Sequence, residues 1–470
     1  MNEIIKYLSI MTLKNIKQIY FIGIGGIGMS AIVRFFKLKG KDIAGYDLTP
    51  SPLTASLQNE GINIVFSDDE NLIDNKYRDK ETTLVVYTPA IPEAHRQLKY
   101  FRENNFNVMK RSQILGIITK DYKSVCIAGT HGKTTISTMT AHLFKQSKKG
   151  CTAFLGGISK NYETNFLWDK QSKFVVVEAD EFDRSFLTLT PETALVSSID
   201  ADHLDIYGNK ENMHASFQAF AEKINEEGNF IVKKGLPIEW HFTNSVNKFT
   251  YSLDDKEADF YADNIWFNGK SYFFDLITPF NSITGIKMGV PGLLNIENAI
   301  AAAASALING VEEYEIYEAM PLFKGIARRF DIQVDTPKIV YIDDYAHHPE
   351  EIKAALNSAR EMFPNKWLTV IFQPHLFTRT RDFYKEFANA LSLADELILT
   401  DIYPARELPI EGITSKIIGD LVKKIPVNYC KKENLAEELN IKNNHLVITM
   451  GAGNIDREVN KIKEKIKASL

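Results

Sequence analysis

Three times along the chain an apolar strand runs into a glycine- or acid-rich turn and then a helical stretch, and this restarting pattern narrows the fold more than any other feature. A strand followed by a crossover helix packs back in parallel, so repeats of the unit build layered α/β domains. The first series has strands at Gln18–Ile22, Asp42–Tyr46 and Thr83–Tyr87. The second has strands at 124–128, 174–177 and 194–199 and an aromatic, alternating section at 249–288 that reads as added antiparallel strands. The third has strands at 339–342, 368–372, 397–399 and 446–449. At 470 residues the chain exceeds what one hydrophobic core holds. The expectation is an α/β protein of three domains, at residues 1–120, 121–330 and 331–470.

The 55 basic and 60 acidic residues leave a net charge of −5, which supplies no broad cationic face for nucleic acid or an anionic membrane. Cys126, Cys151 and Cys430 are too few and too scattered for a disulfide framework or a cysteine zinc site, which points to a reducing compartment. No apolar run approaches the ~20 residues of a bilayer span. The stretch 1–10 carries Lys6 within its apolar part and has no small-residue cleavage site, so it reads as a short leader of no evident function. A cytoplasmic protein is expected, as a monomer or weak homodimer.

After the first strand come Gly23, Gly25, Gly26 and Gly28, then a helix from 29 to 38, with Asp47 lying 19 positions beyond Gly28 (47 − 28). Glycines in such a loop let backbone N–H groups and a helix N-terminus approach a diphosphate, and the acid can bond a ribose hydroxyl. NAD and a UDP-sugar both carry those groups. On this loop alone an NAD-dependent oxidoreductase and a nucleotide-sugar enzyme stay open.

The second loop is Gly129-Thr130-His131-Gly132-Lys133-Thr134-Thr135, between the strand 124–128 and a helix from 134 to 144. Its backbone can cradle phosphates, Lys133 can neutralise β- and γ-phosphate charge, and Thr134 can ligate Mg²⁺. The usual eight-residue spacing would put the first glycine at Ile127, so this is a shortened P-loop. An oxidoreductase leaves it without a role. Mg²⁺ needs further hard oxygen ligands, and the strand 174–177 runs straight into Glu178, with Asp180, Glu181 and Asp183 behind it. Asp180 and Asp183 suit a solvated turn equally well. The strand 194–199 ends in Asp200-Ala201-Asp202-His203, where the neighbouring acids favour a ligand role for His203.

Taken together, GIGGIGMSAI from Gly23, GTHGKTT from Gly129, EADE from Glu178, IDADHLDIYG from Ile199, RRF from Arg328, DDYAHHPEEI from Asp343, FQPH from Phe372 and GAGN from Gly451 resemble the bacterial Mur ligases of peptidoglycan synthesis over nearly the whole length. The resemblance implies a Rossmann-like N-terminal domain for a UDP-substrate, a central P-loop ATPase domain whose parallel sheet carries extra antiparallel strands, and a Rossmann-like C-terminal domain for an amino acid. The branch it is most similar to joins L-alanine to UDP-N-acetylmuramate with ATP and Mg²⁺; a close alternative is the recycling branch, which attaches a preformed peptide. By the same resemblance Thr134 and Glu178 would hold one Mg²⁺, and Glu178 with His203 a second. Asn295 and Asn298 would lie near adenine, Asp344 would bond the ribose and Arg329 would face the nucleotide. Tyr345, His347, His375 and Arg379 would line the region where substrate and alanine meet. Leu294 and Leu376 stand where the family often has His and Arg, and no lysine occupies the neighbourhood of Phe217 and Gln218, where later-acting members carry a modified one. The expected catalytic set is Lys133, Glu178, His203, His375 and Arg379, with His347, His348 and His375 as candidates for the base that deprotonates the amine.

Overall fold

The computed structural model describes residues 13, 15–200, 204–269, 271–405 and 407–470. The chain divides into two compact units: one takes in residues through Trp266, Tyr272–Val290 and Asn295–Lys324, the other Phe267–Ser271, Pro291–Leu294 and Gly325–Leu470.

The first unit holds two sheets. The first is five-stranded and wholly parallel, in the order β3-β2-β1-β4-β5, from β1 (Gln18–Ile22), β2 (Asp42–Tyr46), β3 (Asn63–Val65), β4 (Thr83–Tyr87) and β5 (Asn107–Lys110). The strand order reverses at β1, and the glycine-rich loop leaves its carboxyl end, the position where open parallel sheets bind ligands.

The second sheet comprises β6 (Lys123–Ala128), β7 (Thr152–Ser159), β8 (Thr164–Leu167), β9 (Phe174–Glu178), β10 (Thr193–Val196), β11 (Gly228–Lys233), β12 (Val246–Ser252), β13 (Phe260–Phe267), β14 (Tyr272–Ile277) and β15 (Ser282–Lys287). Its order is β15-β14-β13-β12-β11-β10-β6-β9-β7-β8. Strands β6, β7, β9, β10 and β11 form the parallel centre. The 249–288 section extends the sheet, with β12 joined in parallel to β11 and β13, and with β14 and β15 paired antiparallel. A further antiparallel pair, β7 with β8, closes the opposite edge. With β6 flanked by β9 and β10, loops from three carboxyl strand ends meet at one place.

One continuous apolar core serves both sheets, running from Ile19, Phe21 and Phe35 to Phe154, Val177 and Val196. Phe35, on the helix Ile27–Leu38, sets its ring 5.7 Å from Phe154 and 5.6 Å from Trp168. Beside it Arg34 donates to Asn165 Oδ1 at 2.7 Å and pairs with Glu60 at 2.8 Å.

The second unit is built on six strands: β16 (Asp331–Asp335), β17 (Ile339–Asp344), β18 (Trp367–Phe372), β19 (Glu396–Leu399), β20 (Val427–Tyr429) and β21 (His445–Met450), in the order β16-β17-β21-β18-β19-β20. All pair in parallel except β16 with β17. Alternation along the strands sends Val340, Ile342 and Phe372 to one face and Tyr341, Ile371 and Val447 to the other, each covered by helices. No helix among the described residues is long and apolar enough to cross a membrane.

Candidate active site

The loop 129–135 leaves β6 and enters the helix Lys133–Gln146. Gly129 at φ +139° and Gly132 at φ +81° occupy backbone space that side chains disfavour. Residues after β10 brace the loop. Backbone N–H of His131 donates to Ser198 Oγ at 2.7 Å, Thr130 Oγ1 donates to the same oxygen at 3.0 Å, and Ser197 Oγ donates to Ala128 O at 3.2 Å. This corrects the strand expected at 194–199: it ends at Val196, because Ser197 and Ser198 turn their hydroxyls to the loop. Thr134 is buried in the first helical turn, with Thr135 half-buried beside it. Asn298 Oδ1 lies 3.1 Å from where a Cβ on Gly132 would stand, and Asn298 Nδ2 donates to Asn295 at 3.4 Å, which sets both asparagines against the loop.

Lys133 folds back over its own turn. Its ammonium donates to Gly129 O at 2.6 Å and pairs with both carboxylate oxygens of Glu181, at 2.9 and 2.8 Å. Burial opposes the charge, but Glu181 above all, with Glu178 and Asp180, outweighs it and raises the pKa, so the ammonium persists.

Glu178 closes β9, and its carboxylate lies across Gly156 of β7, where any side chain would overlap it. The turn that follows is not merely solvated. Asp180 takes Arg111 Nη2 at 3.3 Å and Asp183 takes Lys110 Nζ at 2.8 Å, the cations being the last residue of β5 and the first of the helix that follows it. Asp183 and Arg184 are consecutive left-handed residues, φ 52° and 53°, a strained arrangement of the kind that gathers at functional sites. An Mg²⁺ ion would find hard oxygen donors here in Thr134 and in Glu178, whose carboxylate the glycine leaves room for. His203 lies outside the described residues, and among those described no group of three His, Cys, Asp or Glu forms a metal cluster.

In the first glycine loop Gly23 has φ +84°. Gly25 N–H donates to Asp47 Oδ2 at 2.7 Å, so the acid ties down the loop itself. Gly26 is exposed at the helix N-terminus, and Gly28 is backed by the Arg111 guanidinium, 2.6 Å from where its Cβ would be. Arg111 therefore touches the first loop and the acidic turn behind the second at once.

The second unit gathers the other expected residues at the carboxyl ends of β17 and β18. Asp344 accepts backbone N–H from Phe330 at 2.6 Å and from Ala346 at 2.7 Å, and burial pushes its pKa up to about 6 against the pull of Arg329. Arg328 and Arg329 stand 5.2 and 5.0 Å from the Tyr345 ring, and Arg329 lies 3.9 Å from Glu351. His347 Nδ1 is 3.1 Å from the Tyr345 carbonyl, which only accepts, so that nitrogen carries the proton and Nε2 keeps its lone pair. Burial lowers the pKa of His347 to about 4, with Glu351 opposing and Arg379 and Arg329 assisting. His375 sits 5.9 Å from the His347 ring and stacks on Tyr403 at 5.7 Å; Arg379 is buried, as is His348 at the cap of the helix Pro349–Met362.

Sequence reasoning gave no role to Gly156, Glu181, Ser197, Ser198, Arg111, Glu351 or Tyr403. Paired glycines inside a strand pattern, as at Gly156 and Gly157, signal close approach of a neighbour and were the available clue for one of them. The others acquire their partners from distant parts of the chain.

Comparison with known proteins agrees with this layout. Residues 18–123 match the model described as Mur ligase family, catalytic domain, residues 127–306 the Mur ligase middle domain, and residues 328–453 the Mur ligase, glutamate ligase domain. A protein of Phocaeicola vulgatus named UDP-N-acetylmuramate–L-alanine ligase is 51% identical over 96% of this chain and 98% of its own length. One of the same name from Christiangramia forsetii is 46% identical over 97% and 98%. The crystal structure of UDP-N-acetylmuramate-alanine ligase from Thermotoga maritima superposes with a TM-score of 0.82 at 28% identity, covering 96% of this chain and 100% of that one. A murein peptide ligase from Psychrobacter arcticus shares the fold, with a TM-score of 0.71 at 19% identity over 96% and 98%. With three consecutive domain matches and relatives of this identity along almost its entire length, the chain belongs to the Mur ligase family.

Proposed function

We propose that this protein joins L-alanine to the lactyl carboxylate of UDP-N-acetylmuramate, using ATP and releasing ADP and phosphate, as a step of peptidoglycan precursor synthesis. The observation that carries the reading is Arg111: it backs Gly28 in one phosphate-type loop and pairs with Asp180 behind the other, so one compact unit links two nucleotide loops. A ligase that activates a nucleotide-sugar acid with ATP needs both; an NAD-dependent oxidoreductase needs one. The near-full-length identity to proteins named for the alanine reaction supports the choice of amino acid over a preformed peptide.

A carboxylate resists amine attack because its leaving group would be an oxide-like anion. Transfer of the γ-phosphoryl group to it gives an acyl phosphate, which the amine of alanine then attacks through a tetrahedral intermediate. The obstacle is bringing anions together: a like-charged pair at ~4 Å costs about 4 kcal/mol at an effective dielectric near ~20. Two Mg²⁺ ions, one held by Thr134 and Glu178 and the other by Glu178 and His203, would screen that repulsion when bound. Lys133, Arg329 and Arg379 would add positive charge, and the glycine backbone of the loop would offer N–H groups to the phosphates. Asn295 and Asn298 would lie near the adenine, and Asp344 would bond the ribose. His347 is neutral at pH 7, with its Nε2 lone pair available for a hydrogen bond from the alanine ammonium. An ADP-release assay with UDP-N-acetylmuramate and each amino acid in turn tests the reading. Turnover dependent on L-alanine is the expected result, and turnover only with a preformed peptide, or binding of NAD in place of the UDP substrate, would overturn it.

A further inference from the structure

We infer that Glu181 is a positioning residue that competes with the nucleotide phosphates for the Lys133 ammonium and so sets nucleotide affinity and release. The inference rests on the ATP-dependent reading above and concerns a residue outside the expected ligand set.

An ammonium has three protons to donate. Lys133 directs them to Gly129 O at 2.6 Å, Thr130 O at 3.4 Å and the Glu181 carboxylate at 2.8 Å. A phosphate oxygen approaching the ammonium competes with these for its protons. The two carbonyls belong to the turn that shapes the loop and cannot leave without unmaking it. Glu181 holds on by a side chain alone. Its backbone carbonyl is fixed by the Tyr207 hydroxyl at 2.6 Å, so the main chain stays while the side-chain torsions turn. A polyphosphate carries more charge than a carboxylate and displaces it.

That displacement has a cost. Glu181 is 1% exposed, so turning its carboxylate away from Lys133 gives up a buried ion pair held at 2.8 Å. Nucleotide therefore binds less tightly than the loop alone would allow, and when ADP leaves Glu181 reclaims the lysine. Turnover benefits: an enzyme whose product is a tight-binding nucleotide needs a means of letting it go, and an internal anion at the phosphate site supplies one.

The test is a titration of the full-length protein with N-methylanthraniloyl-ADP in Mg²⁺ buffer, with stopped-flow dissociation, for wild type, Glu181→Gln, Lys133→Met and the double variant. Glu181→Gln is expected to bind on the order of tenfold more tightly, chiefly through slower dissociation, because a larger fraction of molecules has the lysine available. The gain should vanish in the Lys133→Met background. Equal or weaker binding by Glu181→Gln overturns the inference, as does a gain of the same size without the lysine, which would mark a general charge effect. Should Glu181→Gln fail to fold, the structure of the wild type with ADP decides: separation of Lys133 from Glu181 beyond ~4 Å supports competition, and a retained pair refutes it. A wild type that binds no nucleotide defeats the functional reading along with this inference, whereas one that ligates normally but gains nothing from Glu181→Gln defeats this inference alone.

Discussion

Replacing Gly156 by alanine should disable the enzyme while leaving it folded. The added methyl would overlap both carboxylate oxygens of Glu178. These atoms are the far end of a flexible side chain, so the strand need not move; the carboxylate shifts instead, by roughly 1 Å to restore ordinary contact. Overpacking relieved in this way falls at the low end of the ~1–3 kcal/mol range, a Tm loss of a few degrees. Misplacing a group at the reacting centre by about 1 Å costs roughly a hundredfold in rate, or about 2.7 kcal/mol of barrier. The two effects separate in paired measurements: ADP release with UDP-N-acetylmuramate and L-alanine, and thermal unfolding of the same sample. The Mg²⁺ concentration for half-maximal rate should also rise. Unimpaired turnover in Gly156→Ala, or activity lost only in step with the fold, would refute the argument that the glycine exists to seat Glu178.

Lys133→Ala should lose at least about a hundredfold in turnover. It should also lower Tm, because it removes the ammonium from a buried ion pair with Glu181, and the added Glu181→Gln change should restore part of that stability without restoring activity. Ser198→Ala removes the acceptor for the His131 N–H and should raise the KM for ATP several-fold with kcat little changed, read in initial-rate kinetics. His347, with its pKa lowered from 6.5 to about 4, binds its proton less readily folded than unfolded. The stability it contributes is present above pH ~6.5 and is lost as pH falls through ~4, by up to about 3 kcal/mol; denaturant unfolding of His347→Asn should show that much less acid sensitivity across the interval.

The parts of this fold that announced themselves were those whose signal is local. Strands β1, β2 and β4 are short, apolar and bounded by turns, and their limits fall at the expected residues. Both glycine loops were legible because the spacing and the flanking elements are contiguous in the chain. Strands β3, β5, β7 and β8 were not, being three or four residues long or interrupted by glycines. Among site residues, Glu178 stood out by its place at a strand end. Glu181 looks the same as any acid in a polar turn, since nothing near it in sequence reveals that its partner is Lys133, 48 positions away. Arg111 likewise opens an ordinary helix until the fold sets it against Gly28 and Asp180. Lys133, expected to neutralise phosphate charge, proves also to be half of a buried pair.

The core shared by the first two sheets bears on how such enzymes can be recombined. A chimaera cut between the helix Arg111–Thr119 and β6 would part Phe35 from Phe154 and Trp168, Arg34 from Asn165, and Arg111 from Asp180. Each half would then present a raw apolar face to water and an ion-pair partner to nothing. The two sheets and the glycine loops they carry thus travel as a single cassette in this chain, and exchanging one for a relative's version requires carrying the whole matched interface with it.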